Sequence, residues 1–328
     1  MPCYSPLKGW KDSETGGIVF RAEGAESHME VACGQCLGCR LDRSRMWAAR
    51  IVHEASLHEY QGGNCFVTLT YRDKEECSLE QLSQGFHIPE DWSLHKSHFQ
   101  KFMKRLRKEY ADRTIRFFHC GEYGNTCEHG IDLVRVGCPF CNVGRPHYHA
   151  VLFNVSFGDL DLYTTVNGEP RYTSPKLESI WKYGFVDVGE VNFESAAYVA
   201  RYILKKVTGV AADGHYIKID LDGVARYVEP EYCTMSRRPG IAKEWYEKYK
   251  DDLFPSDECP VPGSGVFKKV PRYYQELFAT EEPLTLEEIK EVRQRFREEN
   301  AEEYSPGRLM DKYRVKKAQV QMLKRTVV

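Results

Sequence analysis

The segment Arg145-Pro146-His147-Tyr148-His149-Ala150-Val151-Leu152-Phe153 sets two histidines one residue apart at the head of an apolar run. On a strand, side chains alternate between faces, so His147 and His149 point the same way and both imidazoles can reach one ion. Further along, Glu194 to Lys206 carries Tyr198 and Tyr202 at helical i, i+4 spacing, with Lys205 and Lys206 about one turn beyond. Two phenols then approach one site. Each feature alone has an ordinary reading: a His-x-His pair is more often structural, and twin tyrosines are commonly a helix stripe anchored by their hydroxyls. Together they suit phosphodiester transesterification. A tyrosine with a pKa of about 10 is a poor nucleophile at neutral pH without help. A divalent cation on the histidines polarises a scissile phosphate without consuming a proton. Attack leaves a phosphotyrosine that keeps the energy of the broken bond, and a second tyrosine permits a second cleavage while the first is occupied.

Two imidazoles rarely suffice to orient Mg2+ or Mn2+, and a carboxylate is the usual third partner. Glu122, in the turn Gly121-Glu122-Tyr123-Gly124 at the end of the strand before the His-x-His strand, is the candidate. Two cysteine groups add a different donor chemistry. Cys127-Glu128-His129 and Cys138-Pro139-Phe140-Cys141 offer three thiols and an imidazole, and Cys-x-x-Cys spacing lets two thiolates grip one tetrahedral zinc. Structural Zn2+ is therefore expected on Cys127, His129, Cys138 and Cys141, in a loop too poor in apolar residues to fold on a core of its own. Cys33, Cys36 and Cys39, with Cys3 as a possible fourth thiolate, suit zinc or an iron–sulfur cluster, and equally suit free buried thiols.

The elements that must position these groups can be read from periodicity. Leu41 to Tyr60 suits a basic amphipathic helix with Arg43, Arg45 and Arg50 interleaved among apolar positions. Cys65 to Tyr71 reads as a buried strand, His95 to Tyr110 as a helix with a basic face, Thr114 to Cys120 as a second strand and His147 to Phe153 as a third. Leu177 to Tyr183 then reads as a short helix, Phe185 to Val191 as a fourth strand and Glu194 to Val207 as a helix, so strands and helices alternate. Beyond residue 210, Tyr216 to Asp220 and Ala225 to Val228 flank Asp222-Gly223 as a hairpin. Pro255 to Pro271 reads as a linker, and Leu284 to Asn300 as a charged helix with Thr285 as N-cap.

The chain has 328 residues with 46 Lys+Arg against 48 Asp+Glu and 42% hydrophobic residues, which excludes a disordered chain, a collagen and a coiled-coil rod. A net charge of -2 gives no global electrostatic footprint for nucleic acid, so local basic stretches, Lys101 to Arg116 and Lys312 to Arg325, are the candidates to follow a DNA backbone. Twelve cysteines in short clusters favour metal binding in a reducing compartment over disulfides. No run reaches the ~18 apolar residues of a membrane span and no signal peptide opens the chain, so the protein is expected to stay where it is made.

His147-Tyr148-His149 followed by Tyr198-Val199-Ala200-Arg201-Tyr202 and a lysine resembles the two-tyrosine HUH endonuclease superfamily. More narrowly, it resembles the rolling-circle replication initiators of gokushovirus-type Microviridae phages. Further matching stretches are Cys33-Gly34-Gln35-Cys36-Leu37-Gly38-Cys39-Arg40, Phe66 to Tyr71, Gly121 to Gly124 and Met235-Ser236-Arg237-Arg238-Pro239-Gly240-Ile241.

The resemblance implies an α/β (α+β) HUH-endonuclease fold, a central antiparallel sheet flanked by helices, over residues 61–210. An N-terminal Cys-containing helical segment (1–60) precedes it, a zinc-loop-like insertion (125–145) interrupts it, and a mixed and helical C-terminal extension (211–328) follows. It implies His147 and His149 as metal ligands, Glu122 more loosely because the Cys-rich insertion lengthens the usual connection, Tyr198 and Tyr202 as nucleophiles, and Lys205 or Lys206 as the family's lysine. The implied reaction is nicking and joining of single-stranded origin DNA through a 5′-phosphotyrosine. The implied partners are host replication proteins, polymerase and helicase, in the cytoplasm of the bacterial host, with no membrane. A two-tyrosine transposase or a non-catalytic zinc-dependent nucleic-acid-binding protein are the competing expectations. A His-x-His nucleotide hydrolase fits less well, because no further histidine follows His149 in its strand.

Overall fold

The computed structural model describes residues 3–12, 17–20, 29–124, 143–166, 168–201, 207, 210–219 and 223–322. Its centre is a seven-stranded sheet. In chain order the strands are β1 (Asn64–Thr70), β2 (Arg116–Tyr123), β3 (Pro146–Phe153), β4 (Asp161–Val166), β5 (Glu169–Thr173), β6 (Val186–Gly189) and β7 (Tyr232–Met235). They lie in the order β7-β2-β3-β1-β6-β5-β4, every neighbouring pair antiparallel. The expected central antiparallel sheet flanked by helices is thus present. β3 sits third from one edge and is buried along its whole length, which is why it carries a nearly continuous apolar run after the histidines.

Helices of seven residues or more are α1 (Leu37–Ser56), α2 (Lys96–Glu109), α3 (Pro175–Trp181), α4 (Phe193–Arg201), α5 (Lys243–Leu253), α6 (Arg272–Glu281), α7 (Pro283–Glu299) and α8 (Pro306–Met322). Two apolar layers sandwich the sheet. On one face, Phe99, Phe102, Met103 and Leu106 of α2 pack with Leu177, Ile180 and Trp181 of α3 against Val67, Leu69, Tyr148, Ala150 and Leu152. On the other, Ala48, Ile51 and Val52 of α1 and Ala196, Val199 and Ala200 of α4 meet Phe66, Phe118, Val151 and Phe153, and α5 and α6 extend that layer. The alternation along β3 divides its residues between the layers. Tyr148, Ala150 and Leu152 go to the first, and His147, His149, Val151 and Phe153 face the second.

Three expectations are corrected. Gly121-Glu122-Tyr123 does not turn out of β2; it continues the strand, because Glu122 and Tyr123 pair with His147 and Pro146 of β3. Pro255 to Pro271 is no bare linker: Cys259–Val261 and Gly265–Phe267 form a hairpin, with Cys259 and Val261 buried against the α1 layer and with Gly263 and Gly265 in the left-handed region that closes the turn. The charged helix begins at Pro283, its φ already set for a helix, so Thr285 lies inside the first turn; the N-cap position falls to Glu282, whose side chain makes no capping hydrogen bond. The β4–β5 hairpin and helices α5 and α6 were not anticipated. Among the described residues, no helix is long and apolar enough to cross a membrane.

Candidate metal centre and nucleophile

Register explains how the site is assembled. Across β2, β3 and β1, one row joins Glu122, His147 and Thr70, and the next joins Cys120, His149 and Thr68. Residues opposite one another share a face, so His147, His149 and Glu122 converge on the side covered by α1 and α4. All three are buried, with exposures of 6%, 1% and 2%. The Nε2 atoms of both histidines lie 2.8 Å from the same oxygen, Oε1 of Glu122. Burial pushes the Glu122 carboxyl up, but the two imidazoles facing it outweigh that and hold it well below the usual carboxylate range, so it is ionised.

Hydrogen bonds behind the rings orient those Nε2 atoms. Nδ1 of His147 lies 3.1 Å from the carbonyl oxygen of Arg145, which can only accept, so Nδ1 carries the hydrogen. Nδ1 of His149 lies 3.0 Å from Oγ1 of Thr68. That hydroxyl can accept from Nδ1 or donate to it, according to the tautomer of the ring. With Nδ1 of His147 donating to Arg145, its Nε2 is the ring nitrogen turned to the Glu122 carboxylate, and Nε2 of His149 faces the same oxygen. Two ring nitrogens and a carboxylate oxygen gathered this closely suit a positive centre shared among them. A divalent cation satisfies both contacts at once, and cis ligands of an octahedral ion at ~2.1 Å lie about 3 Å apart, close to what is seen. The residues fit Mg2+ or Mn2+, with the outer hydrogen bonds orienting each ring as metal ligands require.

Tyr198 lies beside this centre. Its half-buried ring meets His149 edge-on at 5.1 Å between centroids and Phe66 at 6.2 Å, and the Arg201 guanidinium sits 5.9 Å from the ring centroid. A cavity of ≈ 440 Å³ opens alongside, bounded by Tyr198 and His149 at one end and by the β4–β5 hairpin at the other. Tyr202, Lys205 and Lys206 lie outside the described residues, as do Cys127, His129, Cys138 and Cys141.

The N-terminal cysteines come together at the start of α1. Sγ of Cys3 lies 3.6 Å from that of Cys33 and 3.8 Å from that of Cys36, and all four thiols, Cys39 included, fall within 4.8 Å of one another. A disulfide would need ~2.05 Å. A tetrahedral ZnS4 unit with ~2.3 Å bonds has sulfurs about 3.8 Å apart, so the cluster has zinc dimensions. Backbone N–H groups point at the sulfurs: Cys33 to Cys3, Cys36 to Cys33 and Tyr4 to Cys36, each 3.3 Å. Burial raises Cys36, yet backbone N–H groups of Cys39 and Tyr4 bring it down to about 6, which makes it a thiolate at neutral pH.

With both clusters described, relatedness can be weighed. The family profile for replication-associated protein ORF2/G2P matches residues 64–207. The chain is similar to replication-associated protein ORF2 of Spiroplasma virus 4, 31% identical over 315 residues covering 90% of this chain and 86% of the relative. The chain belongs to the replication-associated proteins of gokushovirus-type Microviridae phages. It is also similar to VP4 of Bdellovibrio phage phiMH2K, 29% over 295 residues (86% and 79% of the two chains), and to ORF4 of Chlamydia phage 1, 28% over 254 residues (75% and 52%), both replication-associated proteins. No solved structure gives a significant match. The profile match contains Glu122, His147, His149 and Tyr198, whereas the four thiols of this replication-associated protein precede it.

Residues that sequence reasoning missed hold the two regions together. Glu54 on α1 pairs with Arg116 of β2 at 2.6 Å and accepts from the Ala242 N–H at 2.5 Å. Arg50 donates to the Ile241 carbonyl at 2.9 and 3.2 Å, and Arg116 reaches the carbonyls of Pro239 and Gly240. This latch gives the Met235 to Ile241 motif a structural role: it is clasped between α1 and the ligand-bearing strand. A Cβ at Gly240 would lie 2.4 Å from the Tyr273 hydroxyl, so a larger residue there must displace that ring. The latch also revises the basic stretch expected to follow DNA. Arg116 is buried in it, Arg105 donates to the carbonyls of Ile180 and Trp181, and Arg107 to that of Ile115. Lys101, Lys104 and Lys108 remain exposed, but α2 covers the sheet face opposite the site. In α8, Lys312 is paired with Glu303.

Proposed function

We propose that this protein is an HUH-type rolling-circle initiator that nicks and rejoins single-stranded origin DNA through phosphotyrosine, acting in the host cytoplasm with host polymerase and helicase. The observation that carries the reading is the convergence of two imidazole Nε2 atoms on one buried carboxylate beside the Tyr198 ring. When bound there, Mg2+ or Mn2+ would polarise the scissile phosphate and offset its charge. His147, His149 and Glu122 hold that position; Thr68 and the Arg145 carbonyl keep the rings turned to it. Tyr198 loses its phenolic proton, its oxygen forms a bond to phosphorus, and the bond to the 3′ oxygen breaks, leaving a protonated 3′-hydroxyl that can prime synthesis. Tyr202, four residues on, is the proposed second nucleophile, with Lys205 or Lys206 close by in sequence. The reverse attack by a 3′-hydroxyl restores the DNA and the free tyrosine.

Structural zinc on Cys3, Cys33, Cys36 and Cys39 belongs to the same reading, as a clamp on the N-terminus of α1; zinc on the insertion cysteines is a separate part of it. The deciding experiment incubates the protein with labelled single-stranded phage origin DNA and Mn2+ or Mg2+, followed by denaturing electrophoresis. A protein–DNA band that requires the metal and vanishes in the Tyr198→Phe, Tyr202→Phe variant is expected. Binding without any adduct would instead support a non-catalytic DNA-binding protein.

A further inference from the structure

The cavity beside Tyr198 runs away from the metal ligands along a single cross-strand row. Register places Asp187 of β6 opposite Thr68, which is itself opposite His149, so Asp187 lies two strands, about 10 Å, from the ligand and on the same face. Around it the β4–β5 hairpin supplies Arg171, whose Nη1 is 3.2 Å from Oδ2, and Tyr163, whose hydroxyl donates to Oδ1 at 3.2 Å. Gly189 leaves room for that guanidinium: a Cβ there would lie 3.1 Å from Nη1. Asp187 and Arg171 are largely buried, at 22% and 11% side-chain exposure, while Tyr163 and Phe185 at the rim are 57% and 44% exposed. The Arg72 guanidinium lies over Phe185, 4.8 Å from its centroid, and that of Arg171 is 5.7 Å from the Phe66 ring.

The chemistry of this wall is particular. A buried carboxylate beside a guanidinium offers an acceptor pair next to a row of N–H donors, inside a space rimmed by aromatic rings. Phosphate is poorly matched to it, because Asp187 would repel an anion. A flat, neutral molecule with adjacent donor and acceptor atoms on one edge is well matched, and rings with exposed faces are what unstacked bases settle on. The cavity is continuous with the nucleophile, so its occupant is part of the strand being cut.

We propose that this cavity takes one unpaired nucleobase next to the scissile phosphate, guanine by preference, with Asp187 accepting from its N1 and N2 hydrogens and Arg171 donating to its O6. The inference rests on the nicking reading and adds to it the side chains that choose where the cut falls. Donor and acceptor positions on a base edge distinguish guanine from the other three bases, and one such paired contact is worth tenfold or more in discrimination. Thr68 connects the two functions physically: it stands between them in the cross-strand row, opposite both His149 and Asp187, with its hydroxyl 3.0 Å from Nδ1 of His149.

The test is nicking of a labelled origin oligonucleotide pool randomised at each position flanking the cut, with adducts isolated and sequenced, for the unaltered protein and for Asp187→Asn, Arg171→Gln and Tyr163→Phe. Expected for the unaltered protein is an enrichment of guanine of at least tenfold at one position. Asp187→Asn, which turns an acceptor into a donor, should collapse that ratio or move it to another base; Arg171→Gln should reduce it severalfold, and Tyr163→Phe less. Thermal melting establishes that each variant is folded, and Tyr163→Phe, which removes one rim hydroxyl, serves if the charged pair proves essential to folding. A base profile with no preference, or one unchanged in folded variants, overturns the pocket and leaves nicking intact. Absence of adduct from every sequence in the pool overturns the nicking reading and the pocket with it.

Discussion

The molecule has two clusters of metal-ligand side chains built on opposite plans. At the sheet, two imidazoles and a carboxylate come from adjacent strands, all nearly inaccessible, and their open side adjoins a tyrosine and a cavity. At the start of α1, four thiols from two separated stretches of chain, each half-buried, surround one point and leave no side over. Hard, incomplete donor sets suit an ion that must also touch a substrate, and soft, complete ones suit an ion that only holds the chain together. On the proposed reading, the difference makes the sheet cluster the working centre and the thiol cluster a fastening. They are joined by α1, whose first turn carries Cys39, whose Ser44 donates to the Ala197 carbonyl of α4 beside Tyr198, and whose Glu54 braces β2.

The largest effect expected at the working centre follows from removing a ligand or the nucleophiles. His147→Ala should lower adduct formation by at least about 10²- to 10³-fold at fixed Mn2+, the scale associated with losing one transition-state stabilising group. The Tyr198→Phe, Tyr202→Phe variant should form none. Quantified adduct yield checks both, and a His147→Ala protein that cuts normally would erase the distinction between the two clusters.

At the thiol cluster the expected loss is of stability and not of chemistry. Cys33→Ser with Cys36→Ser should remove one equivalent of zinc, measured by elemental analysis, and destabilise the fold by about 4 kcal/mol or more, as loss of a structural metal does. The insertion cysteines are untouched in that variant, so a stoichiometric drop of one identifies which thiols held it. Replacing zinc by Co2+ should give the intense thiolate charge-transfer absorption of a CoS4 centre in the parent and not in the variant.

These assignments were unequally legible in the sequence. His147 and His149 could be paired from strand periodicity alone, because a period of two needs no partner strand. Glu122 was placed by proximity and put in a turn; only the β2–β3 register shows that it lies opposite His147 inside a strand. Thr68, Asp187 and Arg171 were invisible for the same reason, since cross-strand neighbours 81 residues apart leave no local pattern. Cys33, Cys36 and Cys39 were legible as a cluster, but the convergence of Cys3 depends on the strand pairing of Leu7 to Gly9 with Met29 to Val31, which brings the two stretches side by side. The layers behaved better. The helical spacing of Phe99, Phe102, Met103 and Leu106 gave α2 to within a residue at each end. The β4–β5 hairpin escaped because its mostly exposed residues lack the apolar alternation that marks a half-buried strand.

Acid should separate the clusters from the helix that joins them. His53, fully buried on α1, is pushed by burial from 6.5 down to about 4, the Arg50 charge acting in the same direction and the hydrogen bond to the Pro260 carbonyl at 2.8 Å against it; Nδ1 lies 2.9 Å from the Tyr274 hydroxyl. A base whose folded pKa is depressed contributes stability above its unfolded pKa and loses it as pH falls toward the folded value. At ~1.4 kcal/mol per pH unit the cost by pH 4 is about 3 kcal/mol. In metal-free protein the thermal midpoint should therefore fall between pH 6.5 and 4, and His53→Gln should flatten that slope. An unchanged slope would assign the acid sensitivity to other histidines, such as half-buried His98, which desolvation also takes down to about 4.

The smallest predicted effect tests the finest claim, that the sheet cluster is oriented from behind. Thr68→Val keeps the shape of the side chain and removes one oxygen, so the packing of β1 should survive. His149 loses the hydroxyl 3.0 Å from its Nδ1, and with it the hydrogen bond that holds the ring turned toward Glu122. Loss of such an outer partner costs roughly 10- to 100-fold in metal affinity, and the lower end is expected here because His147 keeps its own carbonyl. Titrating adduct yield against Mn2+ should show the midpoint shifted about tenfold upward with the plateau restored at saturating ion. A lowered plateau with an unmoved midpoint would mean instead that Thr68 acts on the DNA, through Asp187, and not on the metal.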